Sequence, residues 1–246
     1  MTYHWLATLI FFATFVAGMM ITRKLVFRVP AFEDMRLQNR AVDGPKLERA
    51  AYKQSCKRNV KVGMYTNYVF YLLILPWFVS LDGKSVGLFL LEIFAILALF
   101  DFMYYWTHRS FFHGDWKGNP LRKIHALHHQ ARKPTHMDAQ FVHPLETFIG
   151  LMLFLWSIPI ISLIFGAPVN AFAAVIATLI FSQLNTLNHV WTNLPKTSRL
   201  FRAVDYITGV HHAHHVDMSH GNYATLTMVY DKLFGTFEEP VKREAA

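Results

Sequence analysis

An all-α integral membrane helical bundle of four to five spans, carrying a cytosolic histidine-rich helical cap, is the fold class this sequence predicts. Three observations predict it. Hydrophobic residues make up 53 % of the chain and charged residues only 16 %, against about 25 % charge in a typical soluble domain. The apolar residues gather into five long runs separated by short polar or basic stretches. Thirteen of the fourteen histidines fall between His108 and His220, in clusters beyond the ends of those runs.

The runs are Tyr3–Ile21, Tyr65–Leu81, Val86–Thr107, Leu145–Phe165 and Val169–Leu187. Each approaches the roughly 20 residues that a helix needs to cross a bilayer. The first lacks a basic leader and ends in Met-Ile-Thr-Arg-Lys, so it reads as an uncleaved anchor and not as a signal peptide. Tyr65–Leu81 is short and contains Pro76; a tilted or re-entrant passage there would leave four true spans. Breaks at Asp82–Ser85 and Gly166–Pro168 predict tight helical hairpins. The chain thus divides into residues 1–62, an anchor with a basic cytosolic segment, and residues 63–246, the bundle with its histidine-bearing domain.

Orientation follows from Lys and Arg. Eleven cations lie in Arg23–Lys61, six in Arg109–Lys133 and six in Lys196–Arg243, while Lys84 alone falls in a loop on the other side. Alternating spans put 23 of 24 cations on one face, which the positive-inside rule makes cytoplasmic. Every histidine cluster lies on that face. The net charge of +8 is therefore a topological signal and does not point to nucleic acid. The segment Arg23–Lys61, with Leu, Val and Phe among its cations, predicts an amphipathic helix on anionic headgroups.

The histidines read His108-x4-His113, His125-x2-His128-His129, His189, then His211-His212-x-His214-His215. On a helix, His-x-x-His-His places the first and last imidazoles on one face with the middle one beside them. Two such triplets can bracket a shared centre. His113, five residues after His108, requires the third span to end or bend between them. The single cysteine, Cys56, excludes a sulfur-rich site. Imidazole suits zinc, copper, iron and nickel alike, and more than eight histidines exceed what one ion needs. The Glu-x-x-His pairs of soluble di-iron bundles are absent. Ligating histidines usually donate their second nitrogen to a carboxylate or carbonyl; Asp101, Asp138, Glu146, Asp217 and Asp231 are candidates. Asp101, two turns before His108 within an apolar span, is the foremost of them.

This ordered set of boxes resembles the fatty acid hydroxylase / sterol desaturase superfamily. Supporting stretches are Asp101-Phe-Met-Tyr-Tyr-Trp-Thr-His108-Arg109, His143-Pro144-Leu145-Glu146, Gly221-Asn222-Tyr223 and Tyr230-Asp231-Lys232-Leu233-Phe234-Gly235-Thr236, so the likeness runs from about residue 87 to 238. The resemblance implies a membrane-bound non-haem oxygenase with two ferrous ions, O2 as co-substrate, and a lipid substrate. The implied ligands are His108, His113, His125, His128, His129, His189, His211, His214 and His215. His212 is a further metal candidate, because a second register would use His211 and His212 with Thr208 in the third place. Asn193 stands four residues after His189, where some relatives carry another histidine; it joins Asp101 as a candidate catalytic residue. His136, His143 and His220 read as structural or supporting.

The reaction expected from the likeness is hydroxylation of a fatty acyl chain, sterol or related lipid, with desaturation as the alternative. Electrons are expected from a separate donor of cytochrome b5, ferredoxin or reductase type, and a bacterial inner membrane is favoured over the endoplasmic reticulum. A metal transporter or sensor would instead place its ionisable ligands within the spans. A zinc hydrolase would need a motif such as His-Glu-x-x-His, which is absent.

Overall fold

The computed structural model describes residues 2–216 and 218–240; Asp217, Lys242 and Arg243 lie outside them. It is an all-α helical bundle. The helices are α1 (Trp5–Val26), α2 (Pro30–Glu48), α3 (Ala50–Val69), α4 (Val86–Thr107), α5 (Pro120–His125), α6 (Pro144–Phe165), α7 (Ala171–Asn188), α8 (Arg199–His215) and α9 (Val229–Leu233).

Among the described residues, four helices are long and apolar enough to cross a bilayer: Trp5–Val26, Val86–Phe112, Pro144–Phe165 and Ala171–Asn188. The fifth run, Tyr65–Leu81, does not form a separate apolar helix. It is the far end of α3, continued by a π-helical turn over Phe70–Ile74 and a 3-10 turn over Leu75–Trp77. Pro76 lacks the N–H that a regular helix needs, so the turns loosen around it and the helix stops. The near half of α3 is polar, with Lys53, Lys57, Arg58 and Lys61 among its residues, so the helix as a whole is not an apolar span.

Helix boundaries follow ordinary capping chemistry. Ser85 accepts from Leu88 N at the start of α4, Asn170 from Phe172 N at the start of α7, and Ser198 from Phe201 N at the start of α8. Pro144 occupies the first turn of α6, and Gly166 closes that helix at φ +68°.

In the bundle, α3 packs on α6, α6 on α4, α4 on α7 and α7 on α1. Lipid tails are as apolar as leucine, so close packing must hold such helices together in place of hydrophobic driving force. The sequence of α7 supplies small residues for this: Ala171, Ala173, Ala174 and Ala177 are fully buried. Between α4, α6 and α7, Phe154 stacks on Phe181 at 4.0 Å and Phe100 meets Phe181 edge-on at 4.9 Å.

The end of the bundle away from the histidines is tied by two short parallel strands, β1 (Val79–Ser80) and β2 (Val169–Asn170). Beside them Lys84 is paired with the buried carboxylate of Glu92 and donates to Pro168 O at 2.6 Å. The other oxygen of Glu92 accepts from Asn170 N at 3.1 Å. The loop before α4 and the loop before α7 are thereby one unit.

The basic segment turns one face onto protein. On α2, Phe32 and Met35 pack with Val190, Leu194 and Val204. Asn39 donates to Trp191 O at 2.7 Å and accepts from Trp191 N at 2.9 Å. Lys46 and Tyr52 both reach the buried carboxylate of Asp138, at 2.6 and 2.9 Å. Asn59 of α3 donates to Gln140 O at 3.1 Å. The polar residues interspersed among the cations therefore clamp the cap, while many of the cations stay exposed.

Candidate metal centre

The spacing His108-x4-His113 works because α4 does not end as a regular helix. Residues His108–Phe112 form a π-helical turn, with His113 N donating to His108 O at 2.9 Å. A regular helix would rotate His113 well away from His108; the wider turn returns it to the same face. Next, Asn119 caps α5 and that helix ends at His125. A 3-10 turn over His128–Gln130 then presents the second and third members of the triplet. His189 follows directly on α7, and the last triplet closes α8.

Nine imidazoles converge in two buried groups. His108, His113, His125, His129 and His214 form the first; His128, His189, His211 and His215 form the second. Within each group the nearest ring nitrogens all lie within 4.8 Å of one another. In the first, His125 Nε2 stands 3.1 Å from the Nε2 atoms of both His108 and His129, and His129 Nε2 stands 3.1 Å from that of His214. In the second, His189 Nε2 lies 3.1 Å from His128 Nε2 and 3.2 Å from His211 Nε2, which is 3.1 Å from His215 Nε2.

The two triplets are used in opposite senses. His125 and His129 go to the first group and His128 to the second, whereas His211 and His215 go to the second and His214 to the first.

Outward-facing Nδ1 atoms fix the tautomers. His108 Nδ1 bonds Tyr223 O at 2.7 Å, His113 Nδ1 bonds Met218 O at 2.9 Å, and His214 Nδ1 bonds Gly221 O at 2.7 Å. His125 Nδ1 bonds Glu146 Oε1 at 2.9 Å and His189 Nδ1 bonds Asn185 O at 3.3 Å. A carbonyl only accepts, so Nδ1 carries the proton and Nε2 is left with a lone pair. Lone pairs aimed at each other across 3.1 Å do not form hydrogen bonds; they repel unless a cation sits among them. Two nitrogens bound at right angles to one ion, each at about 2.1 Å, would lie about 3.0 Å apart. The donor set fits two transition-metal ions.

Burial sets the protonation state that such ions require. It pushes His113 and His189 down to about 4. His125, His128, His129, His211, His214 and His215 lie well below the ordinary histidine value, first from burial and then from their neighbours. At neutral pH these rings are uncharged, which is the ligating form.

The segment 218–227 supplies three of the carbonyls and is itself held by two carboxylates. Asp101 accepts from Thr225 N at 3.2 Å, Leu226 N at 2.9 Å, Thr227 N at 3.2 Å and Thr227 Oγ1 at 2.6 Å. Asp231 accepts from Tyr223 N at 2.8 Å, Ala224 N at 2.9 Å and Thr236 Oγ1 at 2.8 Å. Asp101 thus touches no histidine and bears on the centre only through this segment. Asn222 sits at φ +61°, and Gly221 packs so closely on Thr236 that a Cβ would lie 1.9 Å from its carbonyl oxygen.

Other candidates stand elsewhere. Asn193 is exposed and lines a surface cavity with Pro30, Asp34 and Gln38. His212 is buried on another face of α8, its ring 5.3 Å from that of Trp191; Thr208 bonds Thr192 at 2.9 Å. His136 is exposed, His143 caps α6 by accepting from Leu145 N, and His220 pairs with Glu238 at 2.8 Å. Asp138 braces Thr135 and Lys46 and reaches no imidazole, and Asp217 lies outside the described residues. The polar clamp of Asn39, Lys46, Tyr52, Asn59 and Thr135 has no counterpart in the sequence reading. Its one local signal is the capping box Thr135-x-x-Asp138.

A family model described as fatty acid hydroxylase matches residues 93–236, more than half of the chain. A provisionally named methylsterol monooxygenase of Dictyostelium discoideum is 30 % identical over 172 residues, covering 62 % of this chain and 53 % of its own. A methylsterol monooxygenase of Aspergillus fumigatus is 30 % identical over 170 residues, covering 67 % and 50 %. A very-long-chain aldehyde decarbonylase of Arabidopsis thaliana is 26 % identical over 148 residues, covering 56 % and 22 %. The chain spans about half the length of the methylsterol monooxygenases it matches, and these relatives are eukaryotic. No solved structure matches.

Proposed function

This chain belongs to the fatty acid hydroxylase family, and from that premise we propose that it is a membrane-bound, O2-dependent di-iron oxygenase that hydroxylates a lipid. The observation that carries the proposal is the convergence of nine buried imidazoles into two groups, the ring nitrogens of each group lying within 4.8 Å of one another. Iron is the ion of choice because the family reaction needs a redox-active metal, and imidazole ligation accommodates it. Bound there, two ferrous ions would supply O2 activation and attack on an unactivated C–H bond.

The chain's own residues do the rest. The nine histidines hold the ions. Glu146 and the carbonyls of Met218, Gly221 and Tyr223 keep Nδ1 protonated and the rings correctly turned. Burial excludes water from the imidazoles. The centre begins where α4 and α7 end, so a substrate dissolved in the bilayer would reach it along the apolar helices. The cation-rich histidine face would be cytoplasmic and would receive a separate electron donor.

The test is expression in a host of defined lipid composition, followed by mass spectrometry of its lipids with wild type and His128→Ala. A gain of one oxygen that depends on His128 is the expected result. Loss of two hydrogens instead would make the reaction a desaturation. Identical lipids from wild type and variant, with the wild type folded and iron-loaded, would overturn the proposal.

A further inference from the structure

The hydrogen bonds around the imidazoles divide unevenly between the two groups. In the first, four of five Nδ1 atoms have an acceptor, at 2.7 to 2.9 Å. In the second, His189 has one long bond of 3.3 Å to Asn185 O. The Nδ1 atoms of His128 and His215 are buried without a hydrogen-bond partner among the described residues. The first group also offers five imidazoles and the second four.

Three of the acceptors in the first group lie within residues 218–223, and that stretch is unusually well anchored. Asp231 of α9 holds Tyr223 N and Ala224 N, and Asp101 of α4 holds the N–H groups of Thr225, Leu226 and Thr227 that follow directly. Asn222 donates to Val210 O at 3.0 Å, and Gly221 N donates to Glu238 Oε1 at 2.7 Å. The fourth acceptor, Glu146, comes from α6. None of these groups bonds a histidine of the second group.

A ring whose outer N–H is engaged is fixed in tautomer and orientation and is a more basic ligand; removing such a partner typically weakens metal binding about 10- to 100-fold. We propose that the two ions are held unequally: the 218–227 segment and Glu146 lock the five-histidine group alone, and the ion of the four-histidine group is the exchangeable one. Asp231, Asp101 and Glu146 are then positioning residues for one ion of the pair. The inference rests on the di-metal reading above.

The test follows iron release. The purified full chain, loaded anaerobically with ferrous iron, is mixed with a chromogenic ferrous chelator. Two ions should leave in two phases, the faster absent from His211→Ala and the slower absent from His214→Ala. Asp231→Asn and Glu146→Leu should each accelerate the slow phase about 10- to 100-fold and leave the fast phase unchanged. Glu146→Gln, whose amide oxygen still accepts from His125, should release iron like wild type. A folding defect would not single out one ion, and Asp231 and Glu146 lie on different elements, so failure of one variant leaves the other to decide. Release of both ions in one phase, equal acceleration of both phases, or a Glu146→Gln variant as fast as Glu146→Leu would overturn the inequality. A folded wild type that binds no iron would overturn the di-metal reading itself.

Discussion

Mild acid should dismantle the histidine cap of the metal-free protein over a narrow interval. Eight buried imidazoles outside the spans, those of His113, His125, His128, His129, His189, His211, His214 and His215, resist protonation because burial disfavours the charged ring. The unfolded chain takes up those protons near pH 6.5. Stability from these groups is therefore complete above pH 6.5 and falls as the pH drops toward the folded values, about 4 for His113 and His189. Each ring contributes about 1.4 kcal/mol per pH unit, so eight together amount to about 11 kcal/mol per unit. A typical domain has about 5–15 kcal/mol in total. The metal-free cap should thus lose its helices within about one pH unit below 6.5, while bound ions, by keeping the rings neutral, should carry it lower. Hydrogen exchange across residues 113–130 and 199–215, with and without chelator, would report this. Protection that is unchanged in the metal-free protein down to about pH 5 would refute the reasoning.

Gly221→Ala should lower the thermal midpoint in detergent by the equivalent of more than about 1 kcal/mol, because its Cβ would meet Thr236 O at 1.9 Å and backbone must move. An unchanged midpoint would mean the close approach is not real. At the other end of the bundle, Lys84→Met should cost about 3–5 kcal/mol by leaving Glu92 buried without its cation. The double replacement Lys84→Met with Glu92→Leu should recover much of that loss in the same melting assay. A single variant as stable as the double would contradict the pairing argument.

Much of this architecture was legible in the chain because long apolar helices and histidine triplets both leave short-range patterns. The run Val86–Thr107 and the triplet His125, His128, His129 can be read by anyone counting residues. Other features depend on contacts that local spacing cannot carry. Asp101, two turns before His108, suggested a direct partner for that ring; in the fold it faces Thr225, Leu226 and Thr227, more than 120 residues away. The π-helical turn at His108–Phe112 reconciles His-x4-His with one centre, and a periodicity of 3.6 does not foresee it. The run Tyr65–Leu81 reads as separable because most of its polar continuation, Ala50–Lys61, falls in the basic segment Arg23–Lys61. The buttressing face of that segment was invisible because Asn39, Tyr52 and Asn59 resemble any solvated helix surface until their partners are in place.

Neighbours in the chain part company at the centre: His128 from His129, and His214 from His215, each member turning to a different group. Successive Cα atoms are about 3.8 Å apart whatever the side chains do. The gap between the two histidine groups is therefore gauged by covalent bonds at two places, like rungs joining two rails. Lipid-facing surfaces of the bundle can diverge without disturbing that gauge, whereas a single inserted residue at either doublet would break it.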